Sequence, residues 1–167
     1  ARLEETMEEI REKIEDNLDA KKKEEPGATA ATMTLKEARR IAAYCEERAS
    51  QLNVSVVMTV VDSGGNIVLQ DRMDGALIAS LDISAGKAYT ANAFKMNTDA
   101  LYDQVQPGGP LYGIDSSNHG KVIPFGGGFP LKVNNNIIGA IGVSGGTVEE
   151  DTMIGNYAVD QFIGGRE

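Results

Sequence analysis

The strongest constraint on this chain is a run at residues 54–61, VSVVMTVV, that ends in Asp62-Ser63-Gly64-Gly65-Asn66. The run is β-branched and almost continuously apolar, the character of a strand buried on both faces. The five residues after it are turn chemistry, and residues 67–72 return as a second extended arm. Two strands joined this closely pair antiparallel, because a parallel partner needs a crossover of a dozen residues or more. Whatever else the chain builds must therefore grow around a hairpin.

Before the hairpin, Thr34-Leu35-Lys36-Glu37 has capping-box spacing, and Leu35, Ala38, Ile41, Ala42, Cys45, Ala49 and Leu52 fall on one helical face. After it, residues 76–95 read as a helix of small residues that tolerates Gly86 at some cost. One or two short helical turns are expected at 98–105. Pro107-Gly108-Gly109-Pro110 then breaks the chain into an irregular stretch over 111–118. Residues 121–125 and 129–133 flank Gly126-Gly127-Gly128, and Asn134-Asn135-Asn136 turns into residues 137–143 (IIGAIGV). Thr147-Val148-Glu149-Glu150 is a second capping box, opening a last helix to about Ile163. Hairpin-joined strands with helices grouped between them predict an α+β fold with an antiparallel sheet.

The first 25 residues differ in kind. They hold ten acids against six bases, four of the nine excess negative charges of a 167-residue chain. Leu3, Met7, Ile10, Ile14 and Leu18 form one apolar stripe on this charged background, which predicts an amphipathic helix over 1–20. Residues 21–32 contain Pro26-Gly27 and read as a linker, leaving 33–167 as the compact domain. The helix is expected either to dock into a partner groove or to zip with its copies in an oligomer.

Composition removes several function classes. One cysteine, Cys45, rules out an intrachain disulfide framework and fits a reducing cytoplasm. Cys45 with one histidine, His119, cannot make a four-ligand zinc site in one chain. The net charge of −9 and nine scattered aromatics argue against nucleic acid. No apolar run approaches the ~20 residues of a membrane span, and the acidic helix is a poor match to a membrane surface.

The glycine blocks at 125–130 (FGGGFP) and 144–147 (SGGT) invite an anion-cradle reading. Glu149, Glu150 and Asp151 already occupy the first turn of the adjoining helix and would repel an anion, so turn and bulge geometry is the preferred reading. His119 is read either as a solvated loop residue or as an axial metal or haem ligand. Lys87 is expected as a surface or interface charge, or else, with Asp62, as a polar group in a site between subunits.

Four blocks carry a resemblance: residues 56–66 (VVMTVVDSGGN), 82–91 (DISAGKAYTA), 125–131 (FGGGFPL) and 138–151 (IGAIGVSGGTVEED). In this order they resemble the GlcG/HbpS/PduO C-terminal family, and the chain is most similar to small stand-alone members beside diol and glycerol dehydratase genes. The resemblance implies a profilin-like fold, a five-stranded antiparallel sheet flanked by helices, assembling as a homo-oligomer. It also implies haem binding, but it places no family iron ligand on a matching position; by side-chain chemistry His119 is the first candidate, with Tyr89, Tyr112 or Met73 behind it. The adenosyltransferase domain fused to the PduO version has no room in this chain, and its activity is not implied. The expected function is a cytoplasmic haem- or tetrapyrrole-binding accessory protein of a corrinoid-dependent pathway without strong turnover of its own. Residues 1–20 would then direct it to a microcompartment shell or a dehydratase. The competing expectations are a cofactor-free structural or regulatory oligomer and a small-molecule enzyme with an inter-subunit site.

Overall fold

The computed structural model describes residues 6–8, 11–13 and 31–166. Contacts divide the chain into two units, Ala1–Ala31 and Thr32–Glu167. In the first, residues 6–8 and 11–13 are helical and exposed, and Arg11 lies 3.9 Å from Glu8. Met7 is the one member of the expected apolar stripe among them. The rest of the expected helix, and the linker up to residue 30, lie outside the described residues.

The second unit runs α1 (Leu35–Gln51), β1 (Val57–Asp62), β2 (Ile67–Arg72), α2 (Ala79–Phe94), β3 (Gly128–Val133), β4 (Asn136–Ser144) and α3 (Val148–Gly164), with short 3-10 turns between α2 and β3. Both predicted capping boxes form. The Thr34 hydroxyl accepts from Glu37 N–H at 3.2 Å, and Thr147 accepts from Glu150 N–H at 3.1 Å while Glu150 accepts in return at 2.9 Å. The hairpin forms as well: Asp62 Oδ1 accepts from the backbone N–H of Gly64 at 3.0 Å and of Asn66 at 2.9 Å, fixing the turn.

The sheet is antiparallel in the order β2-β1-β4-β3, with four strands among the described residues rather than the five the resemblance implied. Residues 121–125, expected as an extended flank, run as irregular chain. Their hydrogen bonding goes to α2 instead of a sheet edge: Ile123 N–H donates to Thr90 Oγ1 at 2.9 Å, and Pro124 has no N–H to give.

Helices cover both faces. On one, α1 and α3 pack against Met58, Val60, Phe129, Leu131, Ile141 and Val143 through Ala38, Ile41, Cys45, Ile154, Ala158 and Phe162, all buried. Cys45 is thus the small core residue expected, and burial pushes its thiol far up, so it is inert as a nucleophile. On the other face α2 sits very close, with Ala88 and Ala91 against Val61 and Ala140. A Cβ at Gly142 would stand 2.0 Å from the Ser84 carbonyl oxygen, and one at Gly128 would stand 2.6 Å from that of Lys87. The small residues of α2 and the glycines of the sheet answer one another: helix backbone rests on strand backbone.

Candidate functional site

Two places hold chemistry-bearing side chains: one buried under α2, the other open on its outer side. The buried one is Lys87. It is fully inaccessible, which corrects the expectation of a surface or interface charge. Its Nζ donates to Asp151 Oδ2 at 2.9 Å and to the Val143 carbonyl at 2.8 Å, and it stands 5.2 Å from the centre of the Phe125 ring. Asp151 Oδ1 accepts from Gly146 N–H at 2.8 Å. Burial pushes the Lys87 ammonium down and the Asp151 carboxyl up, each opposed by its partner.

Close packing, in part around this pair, explains the glycine blocks. Gly127, at φ +122°, would bring a Cβ to 2.7 Å from Lys87 Nζ; Gly145, at φ +146°, would bring one to 2.5 Å from the Ser55 carbonyl. The glycine-rich turns therefore wrap an internal carboxylate–ammonium pair. An amide that an anion cradle would offer, Gly146 N–H, is already given to Asp151.

The open site is a cleft of about 540 Å³ on the other side of α2. Helical spacing places Asp82, Ala85, Gly86 and Tyr89 along one strip of α2. Val61 and Ile67 of the hairpin close one end, and His119, Lys121 and Ile123 form the facing wall. Gly86 lets that wall approach: a Cβ there would meet Ile123 Cγ1 at 2.5 Å and the Lys121 carbonyl at 3.1 Å. The walls are mostly apolar, and the polar groups gather at one lip. There Asn118 Nδ2 donates to the Tyr89 hydroxyl at 3.0 Å, and Lys121 Nζ lies 5.3 Å over the Tyr89 ring.

His119 is held at this lip by an unusual backbone. Asn118, His119 and Gly120 have φ of +52°, +58° and +72°, three left-handed residues in succession. Asparagine tolerates this region and glycine is free in it, but histidine at φ > 0 carries a conformational cost of roughly 1–2 kcal/mol. Strain of this kind collects at ligand-handling positions.

His119 and Tyr89 thus come together in one cleft, whereas Tyr112 is exposed and does not line it. Met73 lies elsewhere, in a smaller cleft of about 380 Å³ beside Glu46, Asp71, Arg72 and Asp74. Asp62 is spent on the hairpin turn and Lys87 on Asp151, so neither side chain is free to serve an inter-subunit site. The sequence reading missed Lys121, Ile123 and Asn118. Only Gly86 signalled the cleft, as a glycine in the middle of a helix that had to be making room for something.

The family described as Haem degrading protein HbpS-like matches residues 33–160. A 15.0 kDa protein encoded in the dhaT-dhaS intergenic region of Citrobacter freundii is 48% identical over 132 residues, covering 79% of this chain and 93% of that protein. The corrinoid adenosyltransferase PduO of Salmonella typhimurium is 40% identical over 131 residues, which are 78% of this chain but 39% of the longer protein. Among solved structures, the Klebsiella pneumoniae protein ORFY superposes with a TM-score of 0.79 at 45% identity, covering 83% of this chain and 95% of that one. The PduOC:heme complex superposes with a TM-score of 0.75 at 40% identity, covering 78% and 94%.

Proposed function

Since the chain belongs to the HbpS-like family, we propose that it is a haem- or tetrapyrrole-binding accessory protein and that the cleft beside α2 is its binding site. The observation that carries this reading is the meeting of His119 and Tyr89 at one lip of a mostly apolar cleft of about 540 Å³. That volume lies within the roughly 300–1,000 Å³ usual for sites that hold a cofactor-sized molecule. The solved complex of PduOC with heme, at 40% identity, supports the ligand class.

The residues present fit such a group. Val61, Ile67, Ile83 and Ile123 would offer apolar walls to a flat ring system. His119 supplies an imidazole nitrogen and Tyr89 a phenolic oxygen, both donors that haem iron accepts. A bound haem would bring a redox-active iron. The chain's own part would be to offer a donor atom from His119 or Tyr89 at the lip and to exclude water from the apolar end. With a single histidine per chain, a second imidazole could come only from another copy, which fits a homo-oligomer.

The wider role rests on the neighbours. A relative encoded between dhaT and dhaS and another named as a corrinoid adenosyltransferase support a place in corrinoid-dependent diol or glycerol use. Residues 1–20 would carry the protein to a microcompartment or a dehydratase. Among the described residues no helix is long and apolar enough to cross a membrane.

The test is a hemin titration of the purified protein followed in the Soret region. A shift that saturates near one haem per subunit, and that changes in position or affinity in His119→Ala, is the expected result. No shift in the wild type would leave the cofactor-free oligomer as the better reading. A shift identical in His119→Ala would sink the assignment of His119 as the iron ligand.

A further inference from the structure

Resting on the tetrapyrrole reading, we infer that Lys121 recognises a carboxylate of the ligand, so that the cleft selects a flat apolar molecule bearing an acidic edge. The lip that presents His119 also presents the ammonium of Lys121. Among the cleft-lining residues it is the one permanent cation, facing an interior that is otherwise apolar except for Asp82 and the lip itself. Among the described residues it has no carboxylate within ion-pair distance. Its nearest aromatic partner is the Tyr89 ring, whose centre lies 5.3 Å from Nζ.

Lys121 differs from an ordinary surface lysine in how its surroundings are fixed. The Thr90 hydroxyl lies 3.4 Å from its carbonyl, and two residues on Ile123 N–H donates back to that same hydroxyl at 2.9 Å. Gly86 lets this stretch of backbone lie directly on α2. The ring under the ammonium is fixed in turn, because Asn118 Nδ2 holds the Tyr89 hydroxyl at 3.0 Å. The ammonium therefore starts on a rigid backbone and rests on a restrained ring at the cleft mouth. Such pre-positioning lowers the ordering cost of meeting an anion. A ligand seated against the apolar wall would turn an acidic edge toward this lip, where Lys121 is exposed enough to keep its water until contact.

The experiment separates the acid from the ring system. Protoporphyrin IX and its dimethyl ester share the same flat body, and neither carries iron, so the His119 donor is silent. Binding is followed by porphyrin fluorescence for wild type, Lys121→Met and Lys121→Arg. Wild type is expected to hold the free acid about fivefold more tightly than the ester, the upper end for an exposed ion pair. Lys121→Met should lose that preference while binding the ester as wild type does, and Lys121→Arg should retain most of it. The inference is overturned if Lys121→Met keeps the acid preference, or if it weakens acid and ester alike, which would make the lysine stem merely part of the wall. Wild type that binds neither porphyrin would overturn the lysine's role, while the hemin titration decides the tetrapyrrole reading separately. Wild type that binds both equally would overturn the lysine's role alone.

Discussion

Replacing Lys87 by Met and Asp151 by Leu, singly and together, tests how strongly the two buried charges depend on each other. Both side chains are almost wholly buried and meet at 2.9 Å. Removing one leaves the other charge in the interior without a counter-charge, a change that costs about 3–5 kcal/mol. That is a large part of the roughly 5–15 kcal/mol available to a domain. If the two losses were independent, the double variant would fall by about 6–10 kcal/mol. In the structure they are not independent. Removing both leaves no buried charge, and the Val143 carbonyl and the Gly145 and Gly146 N–H groups lose their partners. Each orphaned group costs about 1–3 kcal/mol, offset by apolar packing and by release of the pair's own desolvation cost. The double variant should therefore be no worse than the milder single variant. Urea unfolding measures this directly, provided the slope with denaturant stays constant. A double-variant loss equal to the sum of the singles within about 0.5 kcal/mol would refute the coupling.

The same pair sets a pH dependence. Burial raises the Asp151 carboxyl above its ordinary 3.8, so its contribution is full below that value and declines as pH rises through the raised one. Burial lowers the Lys87 ammonium from 10.5, so its contribution is full above that value and declines as pH falls through the lowered one. The pair contributes least in the neutral window between them. Relative to wild type, the double variant should be most favoured near neutrality and lose ground toward both acid and alkali in matched urea series.

Three further outcomes can be checked separately. Gly142→Ala should destabilise by about 3 kcal/mol or more in urea unfolding, since its Cβ would meet the backbone of α2 at 2.0 Å and backbone cannot step aside as a side-chain tip can. His119→Gly should stabilise the apoprotein by roughly 1 kcal/mol by relieving the left-handed backbone, while His119→Ala should not; both should alter the hemin spectrum alike. Deleting residues 1–30 should abolish delivery to a microcompartment if the helix is a targeting signal, or change the size seen by light scattering if it zips copies together; no change in either would sink both ideas.

Local signals in the sequence were reliable where one segment decides its own structure. Both capping boxes, the Asp62 turn and the Asn134-Asn135 turn, with φ of +48° and +64°, follow from residues a few positions apart. The failures have a common cause, which is that distant segments decided them. Residues 121–125 looked like a sheet flank, but Thr90, more than thirty residues earlier, takes the Ile123 N–H. Lys87 looked like a surface charge because its partner is 64 residues away. Its helix hid the fact, since a helix built largely of small residues shows little amphipathic pattern. For the site, chemistry could nominate His119 and Tyr89 as donors, but only the fold brings them to one lip and leaves Tyr112 outside.

The length of the loop closed by the internal ion pair has a consequence during synthesis. Elongation at about 5–20 residues per second puts roughly 3–13 seconds between the making of Lys87 and the making of Asp151. In that interval the nascent α2 carries a cation on the very face that will lie against the sheet. A charge there opposes premature burial of the helix, and its counter-charge arrives on the last helix of the chain. The final docking of α2 is thereby tied to the synthesis of α3.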